Sequence, residues 1–352
     1  MPRFNYIAAL ALTALLAAAC GEAPKKKEEA AAPKPEPKLT KITFVTDWKA
    51  QAEHGGFYQA LATGLYEKAG LDVTLKQGGP GVNTPQLIAA GSVDFAMGSN
   101  SFQPLNIVAT GGDAMAVAAI FQKDPQVLLT HPRKDVASIA DMKGKPILVA
   151  DATVSTWWIW VKARYGFDDK QIRKYTFNLA PFLTDAKAIQ QGYVTSEPFT
   201  IETEGKVKPQ VFLLADYGYP SYSNFIMARG QDVRERPQVV QAFVDASIDG
   251  WNSYLTGDPA PANALIKKDN PEMTDAIIAN AIKEMRDRGL VQGGDAATLG
   301  TGAMTDARWK EFFDVMKDNK VYDTTVDPAK AYTLAFVNKG RGVTPPPAKE
   351  QK

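Results

Sequence analysis

Apolar and polar positions alternate where the body of the chain begins: Ile42 and Phe44 flank Thr43, and this predicts a strand over residues 41–48 that ends near Trp48. Phe57, Leu61 and Leu65 then recur at four-residue spacing, the signature of one helix face, and Gly70 stops that helix. A second strand is predicted over 71–76. Gly78, Gly79 and Gly81 form a permissive loop around Pro80, after which Thr84 reads as a cap and Pro85 as the first residue of a helix over 86–90. Residues 93–97 read as a third strand running into Gly98, Ser99 and Asn100. This alternation predicts an α/β sheet with parallel members. In such sheets ligands sit beyond the carboxyl ends of the strands, here Trp48, the loop 78–83 with Asn83, and the Ser99-Asn100 pair.

Further strands are predicted at 126–130, 145–150, 175–178 and 211–215, with a helix over 156–165. From Pro237 the pattern turns helical. Val240, Phe243, Val244, Ser247, Ile248, Trp251 and Leu255 mark one face; Ile277, Ile278, Ala281, Ile282 and Met285 mark another; Trp309, Phe312, Phe313 and Met316 mark a third. These read as core stripes, not ligand boxes.

The ends of the chain carry different signals. Arg3 precedes an apolar run from Tyr6 to Ala19 that closes on small residues before Cys20, the pattern of a secretory signal over 1–19. That run falls short of the roughly 20 residues needed to span a bilayer. Leu16-Ala17-Ala18-Ala19-Cys20 resembles a lipoprotein cleavage box, so Cys20 is the expected lipidation site and membrane anchor. Residues 20–39, rich in Lys, Glu, Ala and Pro, are expected to form a flexible tether, and 341–352, with three consecutive prolines, a flexible tail. Cys20 is the single cysteine, which leaves no internal disulfide. A formal charge of +1 offers no basic excess for nucleic acid.

Several segments together carry a resemblance: Asp47-Trp48, Glu53-His54-Gly55-Gly56-Phe57-Tyr58-Gln59-Ala60, Gly64-Leu65-Tyr66, the 78–83 loop, the run from Gly91 to Ser99, and Gln191-Gly192-Tyr193-Val194-Thr195-Ser196-Glu197-Pro198. With these the chain resembles the NMT1/THI5-like periplasmic substrate-binding proteins of ABC importers. That group includes binders of pyrimidine thiamine precursors, sulfonates and nitrate. The resemblance implies a type II periplasmic-binding-protein-like fold: two α/β lobes, a ligand cleft between them and two interlobe crossings. Mapped here, one lobe takes 40–127 plus 220–340 and the other 128–219. It also implies a small-molecule ligand, an ABC transporter permease as partner, a monomer, and no cofactor or metal.

The candidate ligand-binding residues follow from both readings. Trp48 offers a flat face, His54 a donor or acceptor, Asn83 an amide, and Ser99 and Asn100 a polar rim. From the second lobe come Ser155, Thr156 and Trp157, with Trp158 an alternative to Trp157 because neighbours on a helix point about 100° apart. Glu197 is the candidate carboxylate, and Tyr222 and Asn224 are candidates on the return crossing. His131 reads as structural. The expected ligand is a planar nitrogen heterocycle such as an aminopyrimidine, because a carboxylate in the cleft repels sulfonate or nitrate; those anions and flavin-like aromatics are the alternatives. A pyrimidine-modifying enzyme on the same scaffold is the competing class, but two histidines and no G-x-S-x-G elbow give it little chemistry. A structural lipoprotein is the third class, separated from the others by whether a polar and aromatic cleft exists.

Overall fold

A computed structural model describes residues 38–79 and 81–343. The signal, Cys20, most of the tether, Pro80 and the tail beyond 343 lie outside the described residues. The strands are β1 (Thr40–Val45), β2 (Leu71–Lys76), β3 (Phe95–Asn100), β4 (Ala114–Phe121), β5 (Gln126–Thr130), β6 (Ile147–Val149), β7 (Ile172–Lys174), β8 (Ile189–Tyr193), β9 (Gln210–Leu213) and β10 (Ser223–Arg229). They form two five-stranded sheets, ordered β2-β1-β3-β10-β4 and β7-β6-β8-β5-β9. The chain passes from the first sheet to the second between Phe121 and Gln126, and returns between Leu213 and Ser223.

The parallel members expected from the alternating pattern are β1 with β2, in register from Thr40↔Leu71 to Val45↔Lys76, and β1 with β3. In the second sheet β6 runs parallel to β7 and β8. The strand that follows each crossing runs the other way. β5 is antiparallel to β8 and β9, and β10 is antiparallel to β3 and β4. Two elements differ from the sequence reading. Residues 175–178 are not a strand, since β7 ends at Lys174 and Phe177 holds φ at +62°. Asn83, not Thr84, caps the helix Thr84–Ala89, its side chain accepting from the Gln86 amide at 3.1 Å.

The helical block after Pro237 covers the first sheet. Phe243 of helix Pro237–Thr256 stacks on Phe95 of β3, with ring centroids 4.1 Å apart and planes within 6°, and meets Phe44 of β1 edge-on at 5.3 Å. Fully burying such a ring stabilises by about 1.5–3 kcal/mol. All seven residues of the stripe from Val240 to Leu255 are buried. The same helix lies against helix Gly55–Ala62 at close range. A Cβ on Gly250 would stand 2.2 Å from the Gly56 carbonyl oxygen, and one on Gly56 would stand 2.1 Å from the Trp251 ring. The paired glycines of the Glu53-His54-Gly55-Gly56 segment are therefore a packing requirement, and they bring Glu53 and His54 inside with them. No helix among the described residues is long and apolar enough to cross a membrane.

Candidate functional site

The loop after β1 is pinned to the loop after β2. Gly78 N–H donates to the Trp48 carbonyl at 3.0 Å, and Thr46 Oγ1 donates to the same carbonyl at 2.8 Å. A Cβ on Gly78 would fall 2.3 Å from the Thr46 carbonyl oxygen, so only glycine allows this approach. Asp47 and Trp48 are thereby fixed at the carboxyl end of the sheet. Ser99, at the end of β3, donates its hydroxyl to Asp47 Oδ2. Asp47 Oδ1 lies 3.3 Å from His54 Nε2, within ion-pair range but not aligned for a hydrogen bond. His54 is fully buried, and neither ring nitrogen has a hydrogen-bond partner among the described residues.

Next to it, in the short 3-10 turn Ala52–His54, Glu53 is also buried. Asn224 holds the Glu53 carbonyl through its amide at 2.8 Å, and does so from a left-handed backbone conformation, φ +50°, that asparagine tolerates better than most residues. The Glu53 carboxylate accepts the hydroxyl of Thr195, which follows β8 in the second sheet. The two lobes thus touch through a buried carboxyl and a buried hydroxyl. Burial pushes the Glu53 carboxyl above its usual range, and the Thr195 bond and nearby His54 offset only part of that rise.

Tyr193 lies beside this contact. Its hydroxyl is pushed well above the usual tyrosine range, first by burial and then by the charges of Asp124, Asp47, Glu53 and Glu197. Asp124 sits in the first crossing, buried, with Oδ1 accepting the Gln126 amide at 2.9 Å. Burial raises it to about 7 against the pull of that amide and of the Ser221 hydroxyl. Among the described residues none of these four carboxylates is paired with a lysine or arginine. No three His, Cys, Asp or Glu side chains there are grouped as metal ligands would be. Trp48, next to Asp47 in the chain, meets Phe177 of the second lobe at a centroid distance of 4.3 Å and an angle of 46°.

The structure therefore brings Trp48, His54, Ser99 and Asn224 into one neighbourhood. Glu197 borders it, but its carboxylate is engaged within its own lobe, accepting from Tyr193 N–H at 2.7 Å, Ser196 Oγ at 2.7 Å and Tyr175 Oη at 3.3 Å. Asn100 accepts from the Phe102 amide at 3.2 Å, and Asn83 is an exposed helix cap. Ser155 is exposed, and Thr156 is buried with its hydroxyl on the Thr153 carbonyl at 3.1 Å. Trp157 and Trp158 cross at 82° with both rings buried; Trp158 donates to Asp169 at 2.8 Å, while the Trp157 indole N–H has no partner among the described residues. Neither ring offers an open face, and Phe177 stands where a second aromatic wall was expected from that pair. Tyr222 packs within the first lobe: its hydroxyl donates to Asp295, and the Arg308 guanidinium lies over its ring at 4.0 Å. His131 is bonded to the Phe182 carbonyl at 2.7 Å and stacked on the Phe182 ring at 4.5 Å, a structural setting.

The residues the sequence reading missed are Asp47, Glu53, Tyr193 and Thr195, all inside quoted motifs, together with Asp124 and Phe177. The available signal for Asp47 and Glu53 was position: each carboxylate directly precedes the aromatic or histidine chosen instead.

Comparison with known proteins places this geometry in context. The family profile described as NMT1/THI5 like matches residues 51–262. A formylaminopyrimidine-binding protein of Halalkalibacterium halodurans is 24% identical over 268 residues, covering 74% of this chain and 78% of the relative. Among solved structures, the periplasmic aliphatic sulphonate binding protein SsuA from Escherichia coli is similar with a TM-score of 0.61 at 15% identity, over 84% of this chain and 92% of that one. The alkanesulfonate-binding protein SsuA from Xanthomonas axonopodis pv. citri gives 0.59 at 14%, over 84% and 99%. At such identities the solved structures show a shared periplasmic-binding-protein fold. Because the family profile spans more than half of the sequence, including the Glu53-His54 turn, the helix Gly55–Ala62 and the Thr195-Ser196-Glu197 segment, the chain belongs to the NMT1/THI5-like family.

Proposed function

We propose that this protein is an extracytoplasmic solute-binding protein that encloses a small planar nitrogen heterocycle, an aminopyrimidine, between its lobes and delivers it to an ABC importer permease without changing it chemically. What carries this reading is the group of Asp47, Glu53 and His54. Among the described residues it is largely sealed from water, holds two carboxylates with no lysine or arginine partner, and leaves both imidazole nitrogens and one carboxylate oxygen without a hydrogen bond. Buried polar atoms without partners are costly, and a ligand bearing an amine or a protonated ring nitrogen supplies what they lack. Trp48 and Phe177 add flat apolar surface for a ring. A sulfonate or nitrate would meet carboxylates there. The formylaminopyrimidine-binding relative agrees with an amino-bearing ring. Anchoring through a lipidated Cys20 completes the reading, with the body held at the membrane surface by residues 20–39.

Calorimetric titration with aminopyrimidines, alkanesulfonates, nitrate and riboflavin tests the ligand class. Aminopyrimidine binding is expected, weakened in Asp47→Asn by roughly 1.5–3 kcal/mol as a charge-assisted bond is lost. Tight sulfonate or nitrate binding with no aminopyrimidine binding overturns this choice. Mass spectrometry of the incubated heterocycle, returned unaltered, separates binder from enzyme.

A further inference from the structure

We propose that Glu53 and Thr195 form a proton-carrying latch: closing the empty cleft takes a proton from solvent onto the Glu53 carboxylate, and opening returns it. The two residues come from different lobes and are both buried where they meet, Thr195 completely. An ionised carboxylate held there with a hydroxyl, a backbone amide and a nearby imidazole but no lysine or arginine among the described residues is far costlier than a neutral acid, which needs no counter-charge.

The surroundings compensate only in part: the hydrogen bonds and His54 offset some of the cost, Glu197 adds to it, and among the described residues no lysine or arginine pairs with Glu53. From its own segment Glu53 faces His54 and, beyond it, Asp47; from the second lobe it faces Glu197 and Tyr193. Tyr193 is in turn beside Asp124 of the first crossing, its strand partner Gln126 lying two residues further on. Tyr254 approaches from helix Pro237–Thr256. Arg286 of helix Asp275–Asp287 reaches toward Tyr254, but its Nε donates to the Leu255 carbonyl and it forms no ion pair with Glu53. The same helix contributes Asn280, whose amide lies 3.4 Å from the Thr195 carbonyl. The direction of the Glu53 shift, upward through burial, agrees with a neutral acid in the closed form.

In the open form Glu53 meets water and ionises at its ordinary range. The closed, empty form is therefore favoured fully below that ordinary range and loses its advantage as the pH rises through the raised value. The latch needs the lobes to move, as the solute-binding reading requires, but depends on no particular ligand.

The test uses ligand-free protein and small-angle scattering from about pH 5 to about pH 9. Wild type is expected to expand as the pH rises. Glu53→Gln, neutral at every pH and still able to accept the Thr195 bond, is expected to stay compact throughout, and Thr195→Val to expand at lower pH than wild type. A wild-type radius that does not change with pH, or a Glu53→Gln profile that follows wild type, overturns the latch. If Glu53→Gln fails to fold by circular dichroism, the Thr195→Val profile decides, and coincidence with wild type overturns the proposal. Because no ligand is added, a negative titration with aminopyrimidines leaves this result standing, and the reverse holds equally.

Discussion

Trp48 and Phe177 pack against each other from opposite lobes, and Phe177 does so from a left-handed backbone conformation while remaining 44% exposed. A bulky residue at φ +62° carries strain on the order of 1 kcal/mol, and its ring is held by Trp48 on one side and Tyr175, at 5.0 Å, on the other. Phe177→Gly is expected to leave stability unchanged or raise it by about 1 kcal/mol, while uncovering Trp48. The other five of the six tryptophans are buried, so acrylamide quenching reads Trp48 selectively and is expected to increase in the variant.

His54→Leu separates stability from binding. The imidazole is fully buried and its two nitrogens have no hydrogen-bond partner among the described residues, so replacing it with an apolar side chain is expected to raise the stability of the ligand-free protein by about 1 kcal/mol. The same change is expected to abolish ligand affinity. Thermal unfolding with and without the heterocycle checks both halves, and a destabilised variant would show that the imidazole has a structural partner.

Asp124 sets a pH dependence of global stability. Its carboxyl is raised from 3.8 to about 7 by burial, so its favourable neutral form is fully present below about pH 3.8 and lost as the pH rises through about 7. Asp124→Asn is expected to flatten the decline in melting temperature over that window, a difference on the order of a few kcal/mol at its alkaline end. Melting curves across the window, compared with wild type, measure it.

Arg308 ties the two crossings together. Its guanidinium donates to the Gln122 carbonyl of the first crossing and to the Pro220 carbonyl of the second at 3.3 Å, while covering the Tyr222 ring. Arg308→Met is expected to cost about 2–3 kcal/mol in denaturant unfolding, because two part-buried carbonyls lose a charged donor at once. Arg308→Lys is expected to recover only part, since one ammonium cannot span both segments as the planar fork does.

Gly250→Ala tests the helix contact beneath the site. The added methyl would meet the Gly56 carbonyl oxygen and the Ala60 side chain, and a loss of about 1–3 kcal/mol is expected.

The sequence made β1, β2 and β3 of the first sheet and the late helices legible because their apolar positions face one core. β2 and β5 fall where the pattern puts them, and Phe243, Trp251 and Trp309 are buried as their spacing predicts. β4 and β10 were not legible. Both are buried on both faces, so no polar alternation marks them, and β10 also carries a register shift between Ile226 and Met227. The site was half legible for a related reason. Aromatic and histidine side chains announce themselves by type, whereas the importance of Asp47 and Glu53 comes from burial, which depends on two glycines fitting under Trp251 and Tyr254. Glu197 drew attention as a carboxylate beside proline, yet its neighbours Tyr193, Ser196 and Tyr175 already satisfy it.

The position of β10 between β3 and β4 has a consequence for the order in which a growing chain matures. All five strands of the second sheet come from one continuous stretch, Gln126 to Leu213, so that sheet can be completed while later residues are still being made. The first sheet cannot. Until Ser223 to Arg229 arrive, β3 and β4 share no neighbour and each leaves an open backbone edge, the kind of edge that recruits other chains. A nascent chain halted before residue 223 would thus hold a finished second lobe inserted in an unfinished first one.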